Sequence, residues 1–207
     1  MEAVDVSPIV EWGIAMRAFG GSEESGDQCL IEPFPNGVLV AAIDGLGHGP
    51  KAAEASRVAV SVLESHARKP PALLLQLCHE ELKRTRGAVI SLASFDALAG
   101  TMSWVGVGNV KGLLLASNGQ GGVTREWLLL RGGVVGYNLP NLYPATLPVR
   151  EGDTLIFATD GLRSIFAEEL TLGEPPQQMA DRILDGYFRG TDDALVVVVR
   201  YLGLRKP

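Results

Sequence analysis

Val38-Leu39-Val40-Ala41-Ala42-Ile43-Asp44-Gly45-Leu46-Gly47-His48-Gly49 passes from an unbroken apolar run to an aspartate and three glycines. An apolar run of this length between turn signals predicts a strand buried on both faces. Residues 28–34 form a second run just upstream. Pro35-Asn36-Gly37 separates the two, which is a hairpin signal. Residues 9–19 alternate weakly and predict one more strand, followed by a polar, glycine-bearing loop over 20–26. Downstream of Gly49 the period changes. Apolar residues fall at Ala52, Ala55, Ala59, Val62 and Leu63, which is helical spacing over 51–68. Pro70-Pro71 stops that helix. A second helix follows over 71–84, with Leu74, Leu77, Cys78 and Leu82 on one face.

Strands are predicted next over 88–98, 100–107, 111–117 and 123–130, joined by short loops and therefore expected to form a meander. Residues 132–147 carry several glycines and prolines and read as a long loop. Then come a buried strand over 154–158, a short helix over 162–169, a longer helix over 175–188 and a final valine-rich strand over 194–201. This order lacks the regular alternation of a doubly wound sheet. It predicts an α+β fold, an antiparallel β-sandwich flanked by helix pairs in α-β-β-α layers, with residues 1–207 as a single domain.

Composition agrees with a globular chain. Of 207 residues, 46% are hydrophobic, enough for a sizeable core, and the charged fraction of 20% argues against disorder. The net charge of −6 makes nucleic acid an unfavourable partner. No apolar run is long enough to span a bilayer, and residues 1–8 include Glu2 and Asp5 and lack a basic start, so no membrane or secretory segment is expected. Cys29 and Cys78 form neither a disulfide framework nor a zinc site, and suggest a cytoplasmic protein with free thiols.

The acids carry the chemistry. Asp44 ends the apolar run, Asp160 ends another and opens Asp160-Gly161, Asp192-Asp193 directly precede the last strand, and Asp27 directly precedes the second. Singly, each has an ordinary use, since Asp-Gly is a common turn and Asp160 could cap the helix that follows. Together they place carboxylates at four strand ends, where an unpaired charge is costly. Oxygen-only ligands suit hard cations such as Mg²⁺ or Mn²⁺.

Four segments in this order resemble the SpoIIE-like branch of the metal-dependent (type 2C) serine/threonine protein phosphatases. They are Ser25-Gly26-Asp27, Ala42-Ile43-Asp44-Gly45-Leu46-Gly47-His48-Gly49, Ala158-Thr159-Asp160-Gly161, and Asp192-Asp193 before a valine strand. The resemblance extends over about residues 9–201 and implies two central sheets flanked by helices. It also implies two cations, Mn²⁺ or Mg²⁺. Asp44 would bridge them, Gly45 would offer its carbonyl, and Asp160 and Asp192 would complete the second site. Asp27 would contact the first ion or its water. Either Asp192 or Asp193 would be the last metal ligand; Asp192 aligns with the first acid of the family's last motif, in which case Asp193 would sit behind it or cap. The implied reaction is in-line attack of a metal-bridged hydroxide on phosphorus. His48 is either a general acid or a residue packed at the start of the 51–68 helix. Eukaryotic relatives hold phosphate with an arginine shortly before the first acid. Here the segment 22–26 has none, and Arg17 lies ten residues before Asp27.

A short catalytic domain opening with Val10-Glu11-Trp12-Gly13 is most similar to the stressosome feedback phosphatases of that branch, whose substrates are phosphorylated STAS-domain scaffold proteins. Two other classes fit less of the chain. A catalytically inactive phosphatase-fold binding module would not need the acids. A histidine-kinase-like (GHKL) ATP-binding switch kinase shares the Asp-x-Gly-x-Gly box, but its box should follow a helix bearing an asparagine, and here strands precede it.

Overall fold

A computed structural model describes residues 9–21, 24–119 and 122–204 of the 207. The strands are β1 (Val10–Arg17), β2 (Asp27–Phe34), β3 (Gly37–Gly45), β4 (Ala88–Asp96), β5 (Thr101–Val107), β6 (Lys111–Ser117), β7 (Val123–Trp127), β8 (Leu130–Arg131), β9 (Ala145–Pro148), β10 (Thr154–Ala158) and β11 (Ala194–Tyr201). The helices are α1 (Pro50–His66), α2 (Pro71–Leu82) and α3 (Pro176–Tyr187). One sheet has the order β1-β11-β10-β6-β7. The other has the order β2-β3-β4-β5-β8, with β9 pairing the opposite end of β5.

The layers follow from strands that are apolar on both faces. In β3, Val38, Val40 and Ala42 face the second sheet, where they meet Phe157, Leu195 and Val197. Leu39, Ala41 and Ile43 point the other way, against Ala55, Ala59 and Leu63 of α1 and Leu75 and Cys78 of α2. β11 is divided in the same manner. Its odd valines join the inter-sheet core, and Val196 and Val198 pack on Met179, Ala180 and Ile183 of α3. Burying each such side chain contributes about 1.5–3 kcal/mol, so both faces of these strands hold the sandwich together. The edge strand β1 is clamped by α3. Gln177 accepts the Ile14 N–H at 3.1 Å and donates to the Ile14 carbonyl at 2.9 Å.

The α+β sandwich with α-β-β-α layers is therefore as expected, with three differences. The second helical layer is α3 with a 3-10 turn, Ser164–Glu169, rather than two α-helices. The strands do not form one meander, because β5 and β6 lie in different sheets and the connection through Gly108 (φ +100°) crosses the sandwich. Val110 is buried in the inter-sheet core, and its carbonyl accepts the Ser91 hydroxyl at 2.7 Å. Finally, the segment 132–147 is not simply a loop. β9 occupies its end, Val135 is buried and bridges Ala88, and the Gly136 N–H donates to Nδ1 of His79.

Candidate active site

Antiparallel pairing brings the acids to one end of the molecule. β2 begins where β3 ends, and their register sets Asp27 opposite Asp44. β10 ends where β11 begins, and the Thr159 N–H donates to the Leu195 carbonyl at 3.1 Å, extending that ladder toward Asp160. Asp192 and Asp193 enter from the start of β11. Both sheets thus deliver carboxylates to a common centre.

Asp27 is almost fully buried. Its Oδ2 accepts the Thr159 hydroxyl at 2.7 Å, and Thr159 Oγ1 in turn accepts the Leu195 N–H at 2.8 Å. This chain of bonds ties the two sheets together beneath the acids. Burial, followed by repulsion from Asp44, pushes the Asp27 carboxyl up to about 8 despite the Thr159 bond. Burial also lifts Asp44, with repulsion from Asp160, Asp192 and Asp193, up to about 7. Asp160 is raised by burial and by Asp192, opposed by the Arg189 and Lys111 cations. Asp27, Asp44 and Asp160 thus each feel the charge of neighbouring acids, among them Asp192 and Asp193, as one electrostatic cluster.

Asp193 is engaged differently from its neighbours. It is buried, Oδ1 accepts the Phe19 N–H at 2.7 Å, and Oδ2 accepts the Gly26 N–H at 2.6 Å. It fastens the segment leading into β2 onto the start of β11. Asp192 is half-buried and accepts the Asp193 N–H at 2.9 Å. The Gly45 N–H donates to the Gly26 carbonyl at 3.1 Å, and that carbonyl also accepts the Ser56 hydroxyl. A Cβ on Gly45 would come within 2.1 Å of the Ala52 carbonyl oxygen, so only glycine lets α1 seat against the end of β3. Gly49, in the left-handed region at φ +75°, precedes α1 and accepts the N–H groups of Ala52 and Ala53. His48 stands exposed on this loop.

Sequence reading missed four nearby residues. They are Thr159, Asn109, whose side-chain amide donates to Asp160 at 2.7 Å, and the cations Lys111 and Arg189 beside Asp160. Lys111 also bonds the Ser164 hydroxyl. Arg17 is occupied elsewhere, paired with Asp185 at 2.8 Å and stacked over Phe188. Burial pushes the Cys29 and Cys78 thiols up to about 11 and about 12, which leaves both poor nucleophiles.

The donor chemistry fits hard divalent cations. It is all oxygen, and a cation would offset both the burial and the mutual repulsion that raise the carboxyls. Among the described residues no three His, Cys, Asp or Glu side chains close around a single point.

Residues 35–202, most of the chain, match the family model described as Stage II sporulation protein E (SpoIIE). The chain belongs to the SpoIIE family. This SpoIIE-family chain is 27% identical over 143 residues to the phosphoserine phosphatase RsbX of Bacillus subtilis (strain 168), covering 69% of either protein. It superposes at a TM-score of 0.82 and 32% identity on a chain from a study of the bacterial stressosome as a modular system adapted to control secondary messenger signalling, covering 92% of this chain and 99% of that one. It superposes equally well, TM-score 0.82, on crystalline RsbX in complex with magnesium, at 21% identity over 93% of this chain and 95% of that one. The sandwich is thus a SpoIIE-family phosphatase fold. Among the described residues no helix is long and apolar enough to cross a membrane.

Proposed function

We propose that this chain is a protein serine/threonine phosphatase that hydrolyses phosphoserine or phosphothreonine on a STAS-domain stressosome scaffold, with two divalent cations, Mn²⁺ or Mg²⁺. The activity class follows from the family and from the named phosphoserine phosphatase it resembles. The stressosome setting is supported by the relative of 32% identity, and divalent metal by the magnesium complex of RsbX. The observation that carries the reading is the convergence of Asp27, Asp44, Asp160 and Asp192 from both sheets, with Asp27 and Asp44 held above the ordinary carboxylate range.

When bound, the cations supply a water acidified toward neutrality and positive charge for the phosphoryl oxygens. Asp44, the Gly45 carbonyl, Asp160 and Asp192 would hold the ions. Asp27, fixed by Thr159, would orient water at the first ion. Asn109 donates to Asp160, and the Lys111 charge favours its ionised form. His48, exposed on the glycine loop, is in a position open to solvent and substrate, where it could return a proton to the leaving oxygen. No thiol takes part.

The test is hydrolysis of p-nitrophenyl phosphate with Mn²⁺, with Mg²⁺ and with chelator. Turnover should require metal and fall at least ~100-fold in Asp44→Asn. Wild type that binds Mn²⁺ by calorimetry yet turns over neither this ester nor phosphorylated STAS protein would sink the reading. Failure to bind Mn²⁺ at all would instead leave the inactive binding module.

A further inference from the structure

Beside the glycine loop lies a groove of about 240 Å³ lined by Lys51, Glu54, Arg84, Thr85 and Arg86. Lys51 comes from the first turn of α1, while Arg84 and Arg86 come from the connection between α2 and β4. Three cations therefore meet one carboxylate, and none of the three makes an ion pair among the described residues. The other cations of the site are engaged in a way these are not. Lys111 is bonded to Ser164, and both Lys111 and Arg189 counter the charge of Asp160.

The groove is fixed relative to the acids. The β3–β4 register pairs Asp44 with Val89 and Gly45 with Ala88, and the Leu46 N–H donates to the Gly87 carbonyl at 3.0 Å, which carries the pairing one step further. Arg86 is the next residue back. Its guanidinium lies against Gly47, where an added Cβ would come within 2.8 Å of Nη1. The positive groove therefore sits three residues along the glycine loop from Asp44.

A chain of net charge −6 repels acidic partners on balance. A local cluster of unpaired cations next to the acidic centre reverses that sign where a substrate must land. We propose that this groove is a docking subsite for an acidic segment adjoining the phosphorylated residue of the substrate protein. Exposed arginine and lysine side chains would pair there, through their charge, with aspartate and glutamate side chains. This assignment rests on the phosphatase reading for its biological meaning, but its test does not require turnover.

The probe is a short fluorescein-labelled, unphosphorylated peptide with several aspartates and glutamates around a central serine. Its control carries asparagine and glutamine instead. Binding is followed by anisotropy with the full chain in Mg²⁺. At about 50 mM salt, where screening is weak, wild type should hold the acidic peptide roughly tenfold more tightly than the control. That ratio should shrink as salt rises. The triple variant K51A/R84A/R86A should bring the ratio close to one, while K51R/R84K/R86K, which keeps all three charges, should retain most of it. Circular dichroism establishes that each variant folds. A wild-type ratio of one, or a ratio that survives in the triple alanine variant, overturns the proposal. The phosphatase reading fails or stands separately, in the metal-dependent ester assay.

Discussion

Both carboxylate oxygens of Asp193 accept backbone N–H bonds, from Phe19 and Gly26, whereas the half-buried Asp192 accepts one bond from its own neighbour. The two side chains are chemically identical, so isosteric replacement separates their roles. An asparagine has only one acceptor oxygen. In Asp193→Asn the amide nitrogen must face one of the two N–H groups, which leaves a buried donor unpaired at a cost of about 1–3 kcal/mol. A chain of this size loses about 2–4 °C of Tm per kcal/mol, so the chelated variant should melt several degrees below wild type. Asp192→Asn removes a charge from a self-repelling cluster and breaks no backbone clasp. Its Tm in chelator should equal or exceed that of wild type, while its Mn²⁺ affinity falls. Thermal melts with and without Mn²⁺ compare them, and an equal loss in both variants would refute the division of labour. Thr159→Val offers a third contrast. It deletes the donor to Asp27 and orphans the Leu195 N–H, so it should lower Tm where Thr159→Ser does not. The acids were legible in the sequence because each adjoins an apolar run that cannot tolerate a stray charge. Thr159 and Asn109 were not, because a polar residue at or next to a turn has an everyday local use. Their partners lie 132 and 51 residues away.

β10 and β11 meet so closely at the site that Gly161 has no room for a side chain. A Cβ there would stand 2.0 Å from the Asp193 carbonyl oxygen, an atom of the backbone. Gly161→Ala must therefore push the end of β10 away from the start of β11, displacing Asp160 and Asp192 together. Overpacking of this kind typically costs about 1–3 kcal/mol. The variant should melt several degrees lower and also lose metal affinity. A variant that binds Mn²⁺ like wild type would show that the junction does not position the acids. The doubly apolar strands β3, β10 and β11 could be read directly, since only a strand covered on both faces tolerates such runs. The connection from β5 to β6 could not. A Gly-Asn pair between two apolar runs signals a hairpin, and nothing local shows that the runs belong to different sheets. β9 was hidden for a related reason. It is four residues ending in a proline, within a segment rich in turn formers, and only the edge of β5 makes it a strand.

At the scale of the whole molecule, the acidic centre is a standing cost to the metal-free fold. Burial and repulsion raise Asp27 to about 8 and Asp44 to about 7 from the ordinary 3.8, and Asp160 moves in the same direction. An acid whose pKa rises on folding binds its proton more tightly in the native state than in the unfolded one. It contributes stability that is fully present below the ordinary carboxylate pKa and is lost as pH climbs through the raised value. In chelator, the Tm should therefore fall steadily between pH 5 and pH 8.5, the window set by these three groups. Divalent cations compete with those same protons, because the carboxyls must be ionised to bind them. Added Mg²⁺ should raise the Tm strongly at pH 8, where Asp44 is mostly and Asp27 about half ionised, and only weakly at pH 5.5, where protons already occupy both. Asp44→Asn should lessen both dependences, since it removes one raised carboxyl and its repulsion of Asp27, while burial still holds Asp27 up. Scanning calorimetry across this pH range, with Mg²⁺ and with chelator, reads all three effects in one experiment. A metal-free Tm that stays level or rises toward pH 8.5, or a Mg²⁺ gain that is equal at both ends, would mean that the acids at the four strand ends do not act as one cation-seeking cluster.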